Sequence, residues 1–542
     1  MREAVKGGAR RRFPRPPRGA SFGRMIPTRP LTGLDFAVIA AYLLGATLLG
    51  VWVGRRQRDA KDYFVAGRDI PWWAVLFSVV ASETSALTFI SIPGLAYVGD
   101  LGFLQVAVGY LLGRIAVAYT LLPRYYEGEL VTAYALLERR FGLATRRMTS
   151  IVFMVTRGMA DAVRVFATAI PIALIIGPLL PRQYVMPVAV LVLGTLTVLY
   201  TYRGGMRAVV WTEILQASVY LLGGISAAVL IGRAMDGGWS AILDSAAAAG
   251  KLKLVDFYPG LDRAHTVFAG LIGGAFLAMA SHGADQLIVQ RLLSSRSLKD
   301  ARVAIIGSGV VVILQFALFL MIGVGLWALY QGRAFAIPDQ VFPTFIIERM
   351  PHGLVGLLLA AILAATMSTH SAAINALAAA TTHDIYLPVT RRSPDDPRTL
   401  RVGKLAALGW GIVLTGGAML FPEKQGTPVV VVALSIASFT YGALLGGFFL
   451  ALFVPRARQR DAILGMAVGI TAMTFVVFAR QIAAAVPALG PVLGPVGRIA
   501  WPWYVLIGTT ITLLVGTTSA VLTPRSPVLT PRSPSPVGRG GA

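Results

Sequence analysis

A chain of 542 residues that is 56% hydrophobic and 14% charged, with a mean hydropathy of +0.70, cannot fold as a water-exposed globule. Its apolar surface has to face lipid. The formal charge of +24 does not mark a nucleic-acid binder, because Lys and Arg sit in short clusters between apolar runs and not on one solvated face. Cysteine is absent, which excludes disulfides, thiolate metal ligation and thiol catalysis.

Residues 1–33 form a basic, Arg- and Pro-rich stretch with no packing logic, and Met25, just ahead of the first apolar run, reads as an alternative start of translation. Apolar runs of about 20 residues, enough to cross a hydrocarbon core of roughly 30 Å, then recur along the chain. They predict an all-α polytopic membrane protein of about thirteen spans, beginning near residues 34, 72, 102, 148, 184, 208, 265, 302, 352, 402, 428, 461 and 502. If the first span runs from outside to inside, the inner loops hold more than twice as many Lys and Arg residues as the outer loops. That asymmetry predicts an inner (cell) membrane protein with its N-terminus outside and its C-terminus in the cytoplasm. The first span is too long for a cleaved signal, and its basic cluster follows it. Residues 34–54 read as a peripheral helix and 460–524 as two more. Residues 525–542, which continue a repeated Val-Leu-Thr-Pro-Arg-Ser-Pro, read as a disordered tail.

Three spans are interrupted by polar clusters at membrane depth. The second holds Ala81-Ser82-Glu83-Thr84-Ser85-Ala86, and the seventh holds Gly273-Gly274 followed by Ala280-Ser281-His282-Gly283-Ala284-Asp285-Gln286. Exposed backbone at that depth must be buried in protein or line a wet cavity. Two interruptions five spans apart predict inverted repeats over residues 70–235 and 262–455, with the substrate between the broken helices. Small residues that merely let helices pack closely are the competing explanation, but six in a row with a carboxylate favour a site. The ninth span carries Thr366, Ser368, Thr369, His370 and Ser371, an interruption whose hydroxyls and carbonyls suit sodium better than a transition metal.

The fourth span places Arg157, Asp161 and Arg164 on one helical face near mid-membrane. Charges there are costly and either pair with one another or face a substrate path. Two arginines against one carboxylate leave a positive charge that a substrate carboxylate could neutralise, which predicts an organic anion; Glu83 is the competing counter-ion.

Five ordered motifs resemble the sodium:solute symporter family, whose members carry proline, sugars, pantothenate, sialic acid and monocarboxylates. They are Asp62-Tyr-Phe-Val-Ala-Gly-Arg68, Ala81-Ser-Glu-Thr-Ser-Ala86 with Pro93-Gly-Leu-Ala-Tyr97, Gly204-Gly-Met-Arg-Ala-Val-Val-Trp-Thr-Glu-Ile-Leu-Gln216, Asp285-Gln-Leu-Ile-Val-Gln-Arg291 and Leu363-Ala-Ala-Thr-Met-Ser-Thr369. The resemblance covers about residues 34–455 and implies the LeuT-type five-plus-five inverted-repeat core with two broken helices. It further implies that sodium is held by the carbonyls of Ala81, Thr84 and Ala365 and by the side chains of Ser368 and Thr369. A second ion near Glu213 and Ser371 is disfavoured, because Glu stands where some members have Asp and Ala372 stands where a hydroxyl would help. By the same resemblance the substrate walls are Ser85, Thr88, Gln105 and the 278–286 segment with Ser281, His282 and Gln286.

The expected function is sodium-coupled import of a small organic solute by alternating access, with sodium as the coupling ion and no organic cofactor. A proton-coupled porter using Glu83, Glu213, Asp161 or His370 is the nearest rival, and a solute-binding membrane sensor the next. An enzyme is excluded as the weakest reading, since neither a clustered metal-ligand motif nor a Ser-His-Asp set is present. The partners expected are a small-molecule substrate and the lipid bilayer, not nucleic acid.

Overall fold

The computed structural model describes residues 30–54, 68–83, 86–127, 133–177, 180–201, 206–392, 396–420 and 429–523. The basic N-terminal stretch with Met25, the Asp62 motif as far as Gly67, Gly204-Gly205 and the repeated tail lie outside these residues. Among the described residues every element is helical apart from a single β-bridge, Ile70 to Ser295.

The longer helices, in chain order, are α1 (Gly33–Gly54), α2 (Trp72–Glu83), α3 (Ala86–Val98), α4 (Leu104–Tyr119), α5 (Leu143–Ile176) and α6 (Arg182–Thr201). They continue as α7 (Met206–Ala234), α8 (Gly274–Gly283), α9 (Gln286–Leu293), α10 (Leu298–Leu329), α11 (Leu354–Ala379) and α12 (Pro397–Met419). The last three are α13 (Val429–Phe453), α14 (Gln459–Val477) and α15 (Trp503–Leu522). Eight described helices are long and apolar enough to cross a membrane, and nine spans result when the bent pair is counted as one. The expected count of thirteen is therefore not reached by length and hydropathy, because several of the expected spans are short, broken or run into residues outside the description.

The first break is a bend of 57° between Trp72–Glu83 and Thr88–Val98. The Thr88 hydroxyl donates to the Glu83 carbonyl at 3.3 Å and so satisfies one of the acceptors that the broken helix leaves open. At the second break the chain enters as a π-helical turn, Ala269–Gly273, continues as α8 and stops at Gly283. Asp285 is extended (φ −85°, ψ 122°), and its carboxylate accepts from the Leu287 amide at 2.8 Å, so the helix restarts from a proper N-cap. Close approach across α4 fixes this entry: a Cβ on Gly109 would collide with the Gly270 carbonyl, and one on Gly113 with the Ala275 carbonyl.

The ninth-span cluster corrects one expectation. Its hydroxyls do not interrupt the helix, for α11 runs unbroken through Thr366 to Ser371, and a π-helical segment, Ala380–Tyr386, follows it. Thr366 donates back to the Ile362 carbonyl at 3.0 Å, the way a hydroxyl is accommodated inside a helix.

The peripheral α1 is fastened to the start of α11. Asp35, fully buried, accepts from the Gly353 amide at 2.7 Å, the Gly356 amide at 3.3 Å and His352 Nδ1 at 2.7 Å, so a carboxylate from one helix caps the N-terminus of another.

Candidate functional site

A cavity of about 110 Å³ lies where the two breaks face α4, α5 and α13. Ser82, Glu83 and Thr88 come from the first break, Ser281, His282 and Asp285 from the second, Arg157 and Arg164 from α5, and Tyr441 from α13; Phe103, Leu277, Leu287, Phe316 and Leu434 add an apolar wall. Beside it, between α5 and α11, a separate cavity of about 10 Å³, the size of one water, is lined by Asp161, Arg164, Val165, Thr168, Thr366, Thr369 and His370.

The charged groups divide into two kinds. On α5, Arg157 and Arg164 flank Asp161 at 3.4 and 3.6 Å, and among the described residues neither Asp161 oxygen has a hydrogen-bond partner. Nε and Nη1 of Arg164 are likewise without one. Asp285 lies 3.7 Å from Arg157 and accepts a 2.5 Å hydrogen bond from the Tyr441 hydroxyl. His370 reaches to 3.9 Å of Asp161 from α11.

The other networks are closed. Glu213 accepts from Arg291 at 2.7 Å and from Ser78 at 2.6 Å, while Arg291 also donates to Ser78 at 3.2 Å and to the Leu287 carbonyl at 2.7 Å. Glu83 pairs with the fully buried Arg114, which in turn donates to Ser308 at 3.1 Å. His282 Nε2 stands 3.5 Å from Glu83, and its Nδ1 lies 2.8 Å from the Ser281 hydroxyl.

These placements revise several site expectations. The spare positive charge counted on α5 is cancelled by Asp285 and not by Glu83, which Arg114 occupies. Glu213 is committed to Arg291, so a second ion there would have to displace a buried guanidinium. Gln105 and Gln286 are not among the described residues that line the main cavity: the first donates to the His265 carbonyl at 3.2 Å, and the second accepts from the Ala133 amide at 2.7 Å. Thr88, Ser281, His282, Arg157 and Arg164 do line the main cavity, and Asp161 lines the smaller one.

Of the expected sodium ligands, Ala81 is buried at the end of α2 and Thr369 is buried on the wall of the small cavity. Ala365 and Ser368 fall on the unbroken α11, though their side chains are outside the description. Thr84 and Ser85, within the first break, lie outside the described residues. Ser371 is buried on the same helix. An oxygen-only donor set of carbonyls and hydroxyls suits a hard monovalent cation. In a continuous helix, the Ala365 carbonyl offers an ion only the lone pair not used by the amide four residues on.

Two partnerships were invisible in the linear sequence, Arg114 with Glu83 and Arg291 with Glu213. Arg114 did leave a signal, a lone guanidinium inside an otherwise apolar helix.

The model of the sodium:solute symporter family matches residues 63–469. The sodium/sialic acid symporter SiaT of Proteus mirabilis is 30% identical over 449 residues, covering 81% of this chain and 88% of SiaT. The human sodium/iodide cotransporter is 30% identical over 467 residues, covering 82% of this chain and 69% of that protein. In three dimensions the chain is similar to a Na+-coupled sialic acid symporter solved in a substrate-bound, outward-open state, with a TM-score of 0.77 and 28% identity over 91% of this chain and 98% of that one. The chain therefore belongs to the sodium:solute symporter family, multi-pass membrane transporters and not enzymes, and its coupling ion is sodium.

Proposed function

We propose that this symporter carries one sodium ion with one small organic anion, a carboxylate, by alternating access in an inner membrane. The observation that carries the reading is the charge inventory of the site. Arg114, Arg157 and Arg164 are matched by Glu83, Asp161 and Asp285, so these six side chains carry no net charge. Adding sodium alone would bury an uncompensated positive charge in a low-dielectric cavity, which costs several kcal/mol. A monoanion entering with it restores neutrality, and Arg164, which lines the cavity and whose Nε and Nη1 have no hydrogen-bond partner among the described residues, is placed to take the carboxylate. The relatives named for sialic acid and iodide carry anions as well.

Sodium is assigned to the carbonyls of Ala81, Thr84 and Ala365 and the hydroxyls of Ser368 and Thr369, bridging the first break and α11. The substrate is assigned to Ser85, Thr88, Arg157, Asp161, Arg164, Ser281 and His282, with Asp161 acting through the two arginines. The repeats run over residues 70–235 and 262–455, supported by breaks at corresponding places, and the N-terminus lies outside with the C-terminus in the cytoplasm. Sodium favours the substrate-binding conformation by binding it better than the other, and the two cargoes leave together when the inner path opens. Each tenfold sodium ratio then supplies about 1.4 kcal/mol for uphill anion uptake.

The test is uptake of labelled carboxylates, sugars and zwitterionic amino acids into proteoliposomes under a sodium gradient, with Ser368→Ala and Thr369→Ala beside the parent. Carboxylate uptake that needs sodium and is lost in both variants is expected; competition by neutral sugars or zwitterions alone would reject the anion. Proton coupling draws on one specific observation, the buried Asp161 and His370 at 3.9 Å, and predicts uptake driven by a pH gradient without sodium.

A further inference from the structure

We infer that Asp285 is a resident counter-ion, a tethered stand-in for the substrate's negative charge that must yield Arg157 when an anion binds. The inference rests on the anion reading above and adds the residue that sets affinity and sodium dependence. Asp285 occupies the one extended position between α8 and α9, buried and on the cavity wall. Its two oxygens have different duties. Oδ1 caps α9 through the Leu287 amide at 2.8 Å, a purely structural bond. Oδ2 faces the cavity side, accepting from Tyr441 at 2.5 Å and standing 3.7 Å from Arg157 Nη1.

That separation is the informative feature. A guanidinium committed to a carboxylate forms hydrogen bonds at 2.7–2.9 Å, as Arg291 does with Glu213, whereas Arg157 stands 3.7 Å from Asp285 and 3.4 Å from Asp161, and among the described residues its Nε and Nη2 have no hydrogen-bond partner. Asp285 thus neutralises Arg157 without saturating it. Tyr441 holds the Oδ2 charge partly satisfied and so weakens its grip on the arginine. An incoming carboxylate can form the short bonds that Asp285 does not, but it brings a second negative charge beside Oδ2, and sodium offsets that charge. Through this residue the anion's affinity becomes dependent on the cation.

The experiment measures binding of pyruvate and of sialic acid to purified full-length protein in detergent, with sodium and with sodium replaced by N-methylglucamine, for the parent, Asp285→Asn and Tyr441→Phe. Asparagine is itself a good N-cap, so Asp285→Asn removes the charge while leaving α9 capped. The expected result is carboxylate binding at least tenfold tighter in sodium-free buffer than the parent, with the ratio of sodium-free to sodium Kd shrinking accordingly. Tyr441→Phe should act in the opposite direction, weakening carboxylate binding two- to threefold, and it keeps the proposal falsifiable if Asp285→Asn does not fold. A folded Asp285→Asn with the parent's sodium dependence, or an unchanged Tyr441→Phe, overturns the counter-ion role. A parent that binds neither probe in sodium refutes the anion reading itself, and the two failures are thereby told apart.

Discussion

Two of the buried arginine clusters among the described residues are built on opposite principles. Around Glu213 and Arg291 the ion pair closes to 2.7 Å within hydrogen bonds of 2.6 to 3.4 Å, and the groups come from α2, α7 and α9. Around Arg157, Asp161, Arg164 and Asp285 the charges balance just as well, yet the ion-pair distances run from 3.4 to 3.7 Å and nitrogen and oxygen atoms are left without hydrogen bonds. Unmet hydrogen-bonding capacity costs about 1–3 kcal/mol per buried group, so the open cluster persists at an expense that the closed one avoids. On the proposed reading, the closed cluster ties helices together and the open one receives the substrate.

The largest effect should come from breaking the closed cluster. Glu213→Gln leaves Arg291 buried and unpaired and should lower unfolding stability by about 3–5 kcal/mol, read as a fall in melting temperature in detergent, while Glu213→Leu with Arg291→Met should recover much of it. If the single variant instead keeps parental stability but loses sodium dependence, the closed cluster is an ion site after all. Next comes the open cluster: Arg164→Gln should weaken carboxylate binding roughly 10- to 100-fold, the size of a lost charge-assisted hydrogen bond, with little change in melting temperature. Stability lost in place of affinity would make that cluster a tie as well.

A smaller effect is expected at Thr369, where Thr369→Ala should raise the sodium concentration for half-maximal uptake roughly 5- to 30-fold and leave saturating uptake closer to parental. The smallest sharpens the role of the peripheral helix. Asp35→Asn keeps most acceptors at the start of α11 but removes the charge, and should cost roughly 1 kcal/mol of stability without altering sodium dependence.

Membrane class, the places of the two breaks and the grouping of Arg157, Asp161 and Arg164 on one face were legible because hydropathy and helical period are local properties. The partners were not. Nothing local says that Arg114 reaches Glu83, that Arg291 reaches Glu213 across 78 positions, or that Asp285 answers Arg157. Gln105 and Gln286, named as walls by the resemblance, also have partners that no local pattern gives, since both bond backbone groups of neighbouring segments. The hydroxyl run in α11 resembled a break because Ser and Thr compete for backbone bonds, yet Thr366 bonds back within its own helix.

The claim that a charge-balanced site takes sodium and an anion together is tested most directly by the charge moved per cycle. Sodium-driven carboxylate uptake into proteoliposomes would be measured with the membrane potential clamped by potassium and valinomycin at zero and at 100 mV of either sign. One sodium with one monoanion carries no net charge, so the accumulation ratio should be the same at all three potentials. A ratio that shifts roughly 50-fold per 100 mV, the response to about 2.3 kcal/mol for one net charge, would contradict it.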